Sequence, residues 1–67
     1  MNNTKNIIYC IDSKFRLVIT EILVARRVKH SISVDNNNDE IYVFIPLSKS
    51  CRFEYDLRRF GINYEYK

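Results

Sequence analysis

The chain has 67 residues, 46% of them hydrophobic, and eleven Lys and Arg against eight Asp and Glu give it a net charge of +3. That composition allows one domain at most, apolar enough for a globular core and too apolar for intrinsic disorder. The charge is milder than the basic stripe of a dedicated nucleic-acid binder of this size; it permits an acidic partner without demanding one.

In chain order, "MNNTKNIIYCID" has one lysine and a short apolar run, without the longer apolar core and small-residue cleavage site of a signal peptide. Its "NIIYCI" reads as a first strand. No stretch approaches the roughly 18 apolar residues of a membrane span. The longest, Phe15 to Val28, is broken by Arg16, Thr20, Glu21, Arg26 and Arg27. A soluble, cytoplasmic protein with no membrane partner is expected.

"DSKFRLVITEILVARRVK" is ambiguous between strand and helix. Its Val and Ile content and the alternation of Phe15, Leu17 and Ile19 suit a strand. Yet the run continues from Ser13 to Lys29 with no Gly, Pro or Asn to turn it, well beyond a usual strand of roughly 5–6 residues. Asp12 or Ser13 can cap a helix, and Arg26, Arg27 and Lys29 suit its C-terminal end. The reading is a helix, apolar nearly all round and so buried on more than one side, with Arg16, Thr20 and Arg27 as its polar stripe.

"HSISVD" and "EIYVFIPL" flank the Asn-rich "DNNND" and read as a β-hairpin that Pro46 terminates. In "LSKSCRFEYDLRRFG", Ser48 or Ser50 can cap a second helix. Phe53, Leu57 and Phe60 recur at helical spacing, and Gly61 stands where a left-handed residue is wanted. "INYEYK" alternates as a terminal strand.

The order β-α-β-β-α-β, as one α+β domain over residues 1–67, resembles the split β-α-β or ferredoxin-like arrangement, with a four-stranded antiparallel sheet and two helices on one face. The alternative is a β-meander with Phe15 to Val24 as a long second strand, plus one C-terminal helix. Small metal carriers share the first architecture but carry paired cysteines after strand one. "YCIDSKF" has a single cysteine there, so copper handling is not carried over.

In that arrangement the first and third strands are central and one sheet face is open. The reading puts Ile8 and Cys10 toward the helices and Tyr9 outward with Ile7 and Ile11. It puts Ile41, Val43 and Ile45 inward and Tyr42 and Phe44 outward. The third strand is apolar on both sides, so something should cover the open face. A protein surface, from a second copy or another target, suits Tyr9, Tyr42 and Phe44. Single-stranded nucleic acid is the alternative, since RNA-recognition domains stack bases on aromatics of these two strands. Against that, "DEIYVFIP" opens with two acids and has no glycine. Arg26, Arg27, Lys29, Arg58 and Arg59 are candidates for an acidic partner or nucleic acid; otherwise they are solvated helix ends.

No catalytic, metal or cofactor constellation emerges. Cys10 and Cys51 with His30 make a poor zinc set and read as two free thiols. His30 has no nucleophile placed beside it. Asp35, Asp39 and Glu40 lack the glycine and spacing of a calcium loop, and Gly61, the lone glycine, cannot make a phosphate cradle. No small-molecule substrate is evident. The expectation is a small non-enzymatic protein-interaction regulator or inhibitor, acting through the sheet face, as a homodimer or on another protein. The alternative is a nucleic-acid-binding module. A short chain with its own initiator Met and no linker suits a free-standing regulator, a type common in viruses and mobile elements.

Overall fold

A computed structural model describes residues 5–67. The elements run β1 (Asn6–Asp12), a 3-10 turn (Ser13–Phe15), α1 (Arg16–Ala25), β2 (Ser31–Val34), β3 (Glu40–Pro46), a second 3-10 turn (Leu47–Lys49), α2 (Ser50–Arg59) and β4 (Glu65–Tyr66). The four strands form one antiparallel sheet in the order β2-β3-β1-β4. This is an α+β fold with two helices; the segment that could have been a long second strand is α1.

The expected helix over Ser13 to Lys29 is shorter at both ends. Asp12 does cap its start, accepting from the Lys14 N–H at 2.9 Å, but the first turn is 3-10. Its end is set by backbone geometry. Arg27 adopts φ +55°, its N–H bonds the Val24 carbonyl, and the Val28 N–H bonds that of Leu23. This is a Schellman closure built on arginine, where glycine is the usual occupant. The second helix closes identically on the expected residue: Gly61 has φ +69°, its N–H bonds Arg58 O, and Ile62 N–H bonds Leu57 O. In both closures the residue after the left-handed one packs into the core, Val28 near Leu23 and Ile62 near Leu57. Neither Ser48 nor Ser50 caps α2 through its side chain; the 3-10 turn after Pro46 leads the chain in instead.

One buried cluster joins the sheet to both helices. It contains Tyr9 and Ile11 from β1, Ile41, Val43 and Ile45 from β3, Ile19 and Leu23 from α1, Phe53 and Leu57 from α2, and Ile62. Ile19 and Leu23, like Phe53 and Leu57, are four residues apart, so each helix buries one narrow stripe. That corrects the view of α1 as buried on several sides. Phe60 is not core either: it lies past the last turn of α2 and is 57% exposed.

The register Ile7↔Ile45, Tyr9↔Val43, Ile11↔Ile41 places the odd residues of β1 on the helix side. β3 faces as expected, and β1 faces the opposite way. Tyr9 is 0% exposed and Ile8 and Cys10 lie on the open face. Tyr9 tolerates burial because its hydroxyl finds an acceptor within the fold.

Candidate interaction surfaces

That acceptor is Glu54 on α2. Tyr9 Oη donates to Glu54 Oε2 at 2.6 Å, Tyr66 Oη to the same oxygen at 2.9 Å, and Tyr64 Oη to Oε1 at 3.2 Å. Arg58, one turn along α2, donates to Tyr64 Oη at 3.2 Å and stands 3.9 Å from Glu54 Oε1. The rings pack edge to face around Tyr9, with Phe53 at 5.1 Å and Tyr64 at 5.5 Å between centroids, and Tyr66 sits tilted at 5.6 Å. Burial alone would raise the Glu54 carboxyl, but the three phenol donors and Arg58 outweigh it and hold the group below its ordinary value. Conversely, burial followed by the Glu54 bond pushes the Tyr9 hydroxyl far up, and the Glu54 bond pushes Tyr66 up to about 12. The cluster is a clasp: one carboxylate fastens the short C-terminal strand to β1 and α2. Tyr9, placed among the interaction candidates by sequence, belongs to this clasp and not to a free surface.

The basic candidates separate in space. Arg26 meets Asp56 with two bonds, Nε to Oδ2 at 2.6 Å and Nη2 to Oδ1 at 3.1 Å, and this fork ties the end of α1 to α2. Asp56 is 2% exposed, so its charge is carried inside the fold only with that partner. The Asp56 bond raises the Arg26 guanidinium further above its ordinary value. Arg58 serves the tyrosine clasp. Arg59 turns toward α1 and shares a groove with Arg26, whereas Lys29 lies at the sheet edge beside Asn6, Ser31 and Phe44. Arg27 is exposed at its left-handed position. The five cations therefore do not form one patch.

On the open sheet face, Ile8 pairs with Phe44 and Cys10 with Tyr42, and all four are half-buried. Ser31 and Ser33 flank them on β2, Glu65 flanks Cys10 on β4, and the Lys67 ammonium sits 4.8 Å from the centre of the Tyr42 ring. Burial pushes the Cys10 thiol up to about 11, with Glu40 adding to the effect, so it is a protonated packing residue at neutral pH.

Several large apolar side chains in solvent are on or at the ends of the helices, others being Val34, Leu47 and Tyr66. Leu17 is 78% exposed and Val24 62%, seven residues apart on one face of α1. Beside them, Val18, Ile22 and Ala25 line an open groove of about 570 Å³ between α1 and α2, closed on the other side by Phe60 and Arg59, with Glu21, Arg26 and Asp56 completing the wall. The near-continuous apolar run of α1 carries the sequence signal for this surface, since one buried stripe does not use all of it.

His30 Nδ1 lies 2.8 Å from the Val28 carbonyl, which can only accept, so this nitrogen carries the proton and His30 is held locally. Among the described residues no three His, Cys, Asp or Glu are grouped to hold a metal ion, and no helix is long and apolar enough to cross a membrane. In comparisons with known proteins, no family model, no curated protein and no solved structure matches this chain.

Proposed function

We propose that this chain is a small non-enzymatic regulator that binds another protein, and that its principal contact surface is the α1–α2 groove with the open sheet face second. The observation that carries the reading is the groove walled by Val18, Ile22, Ala25 and Phe60, with Leu17 and Val24 exposed on α1 outside it, in a chain whose core already has its own residues. A contiguous apolar surface bordered by charged groups, here Glu21, Arg26 and Arg59, has the make-up of a protein interface core and rim. Less favours the nucleic-acid alternative: Tyr9 is enclosed, Arg26 and Arg58 bond Asp56 and Tyr64, and Glu40 and Glu65 border the sheet face, which leaves Tyr42, Phe44, Arg27, Lys29 and Arg59 as its candidates. We further infer a compact split β-α-β arrangement. The order read from the other edge, β4-β1-β3-β2, and the antiparallel pairing of central β1 and β3 support it. The cytoplasmic setting is part of the same proposal, supported by the two free thiols of Cys10 and Cys51.

The test is capture of a specific partner by the immobilised protein, with nucleic-acid retention measured in parallel at two salt concentrations. The expected result is a partner retained by wild type and by Phe44→Glu, and lost with Val18→Glu combined with Phe60→Glu. Partner loss only with Phe44→Glu moves the site to the sheet. Strongly salt-dependent retention of nucleic acid with no protein partner contradicts the proposal, because counterion release makes such binding fall steeply with salt.

A further inference from the structure

The outer edge of β2 has unpaired backbone groups that the groove does not use. The sheet order leaves β2 at one edge and β4 at the other, and β4 is only two residues long. Along β2 the direction of the backbone groups follows from the hairpin. The Asp35 N–H bonds the Glu40 carbonyl, so in the register Ser33↔Tyr42, Ser31↔Phe44 the odd residues turn their backbone groups inward to β3. Ile32 and Val34 therefore turn both N–H and C=O outward, and among the described residues no strand lies beside them. β2 carries no Pro, Gly or charge within Ser31–Val34, the devices that usually blunt an edge. Val34 is 37% exposed on the helix side of this edge, and Ile32 is only partly covered by the core.

We propose that two copies of the chain pair antiparallel through β2 about a two-fold axis at Ile32, joining their sheets into one. In that register the Ile32 pair exchanges its outward bonds across the axis, and Val34 of each copy meets His30 of the other. The flanking charges decide the register. Lys29 of one copy stands opposite Asp35 of the other, twice by symmetry, on the open side of the sheet. A shift of the axis to Ser33 sets Lys29 opposite Asn37 and forfeits both ion pairs. Lys29 is exposed, and Asp35 accepts the Asp39 and Glu40 N–H groups on Oδ1 alone, so Oδ2 keeps its capacity to accept from a cation. The axis keeps the helices of both copies on the same side, so the α1–α2 grooves stay open. The inference rests on the edge strand, independently of what the groove binds.

Sedimentation over a range of concentrations tests it. Wild type is expected to give a two-chain particle. Ile32→Pro removes an outward N–H and no bond to β3, so it should give a folded single chain. Lys29→Glu, a solvent-side change that leaves the fold untouched, places like charges opposite each other and should weaken association roughly tenfold. Phe44→Glu should leave the dimer intact. A wild-type protein that stays a single chain throughout overturns the proposal. So does association unchanged by Lys29→Glu, or a dimer broken by Phe44→Glu but not by the β2 variants; that last result would place self-association on the sheet face and leave the groove reading untouched.

Discussion

Glu54→Ala is expected to cost about 3 kcal/mol and to leave much of the protein unfolded. The figure comes from the bonds lost: a buried donor deprived of its acceptor costs roughly 1–3 kcal/mol, more where the partner is charged. The Tyr9 hydroxyl is fully enclosed and would lose its charged acceptor, keeping only the Ser50 hydroxyl nearby, while Tyr64 and Tyr66 can turn to water. A chain this short has a core that rarely supplies more than roughly 3–5 kcal/mol. Tyr9→Phe removes one donor and keeps the ring, so it should cost only about 1 kcal/mol. Denaturant unfolding followed by circular dichroism separates the two variants, and a Glu54→Ala protein as stable as wild type would contradict the clasp.

The same cluster fixes the sign of the pH dependence. Glu54 sits below its ordinary 4.5 in the folded chain, so its stabilisation is present above that value and is lost as pH falls through the lower folded value. Tyr66 is raised from 10.0 to about 12, so its contribution is complete below 10 and is lost as pH climbs toward 12. Stability should thus decline at both extremes, and both declines should flatten in Glu54→Ala.

Arg26→Ala and Asp56→Ala should behave very differently. Removing Arg26 strands a carboxylate that is 2% exposed, and the midpoint should fall by roughly 10 °C or more. Removing Asp56 frees a guanidinium whose side chain is already 34% exposed and can turn to solvent, so the loss should be much smaller. Equal losses in the two variants would mean that the pair does not act as described. Both losses are readable by thermal melts.

Several of these features were open to sequence reasoning. The Asn-rich turn, the stop at Pro46, Gly61 as the closing residue of α2 and the inward set Ile41, Val43, Ile45 all follow from local chemistry, and each stands where it was expected. The face of β1 was not legible, because "NIIYCI" is apolar at both parities and a period of two cannot choose between them. What chooses is a carboxylate 45 residues away in the chain that gives the Tyr9 hydroxyl a partner. The early end of α1 was hidden for a similar reason: Arg27 takes a conformation that sequence assigns to Gly or Asn. Arg26 looked like a grip on an external acid. The acid is its own Asp56, 30 residues on. Tyr42 and Phe44 are half-buried beside Ile8 and Cys10, whereas Leu17, Val24 and Phe60 are more than half exposed.

The central claim is that the apolar surface this chain leaves free for a partner lies on α1 and at the end of α2. A water-soluble paramagnetic probe tests it by methyl and aromatic NMR of the free protein. The account predicts strong broadening at Leu17, Val24 and Phe60, weaker broadening at Ile8 and Phe44, and none at Ile19, Leu23 and Leu57. Leu17 and Val24 as protected as Ile19 and Leu23 would contradict it.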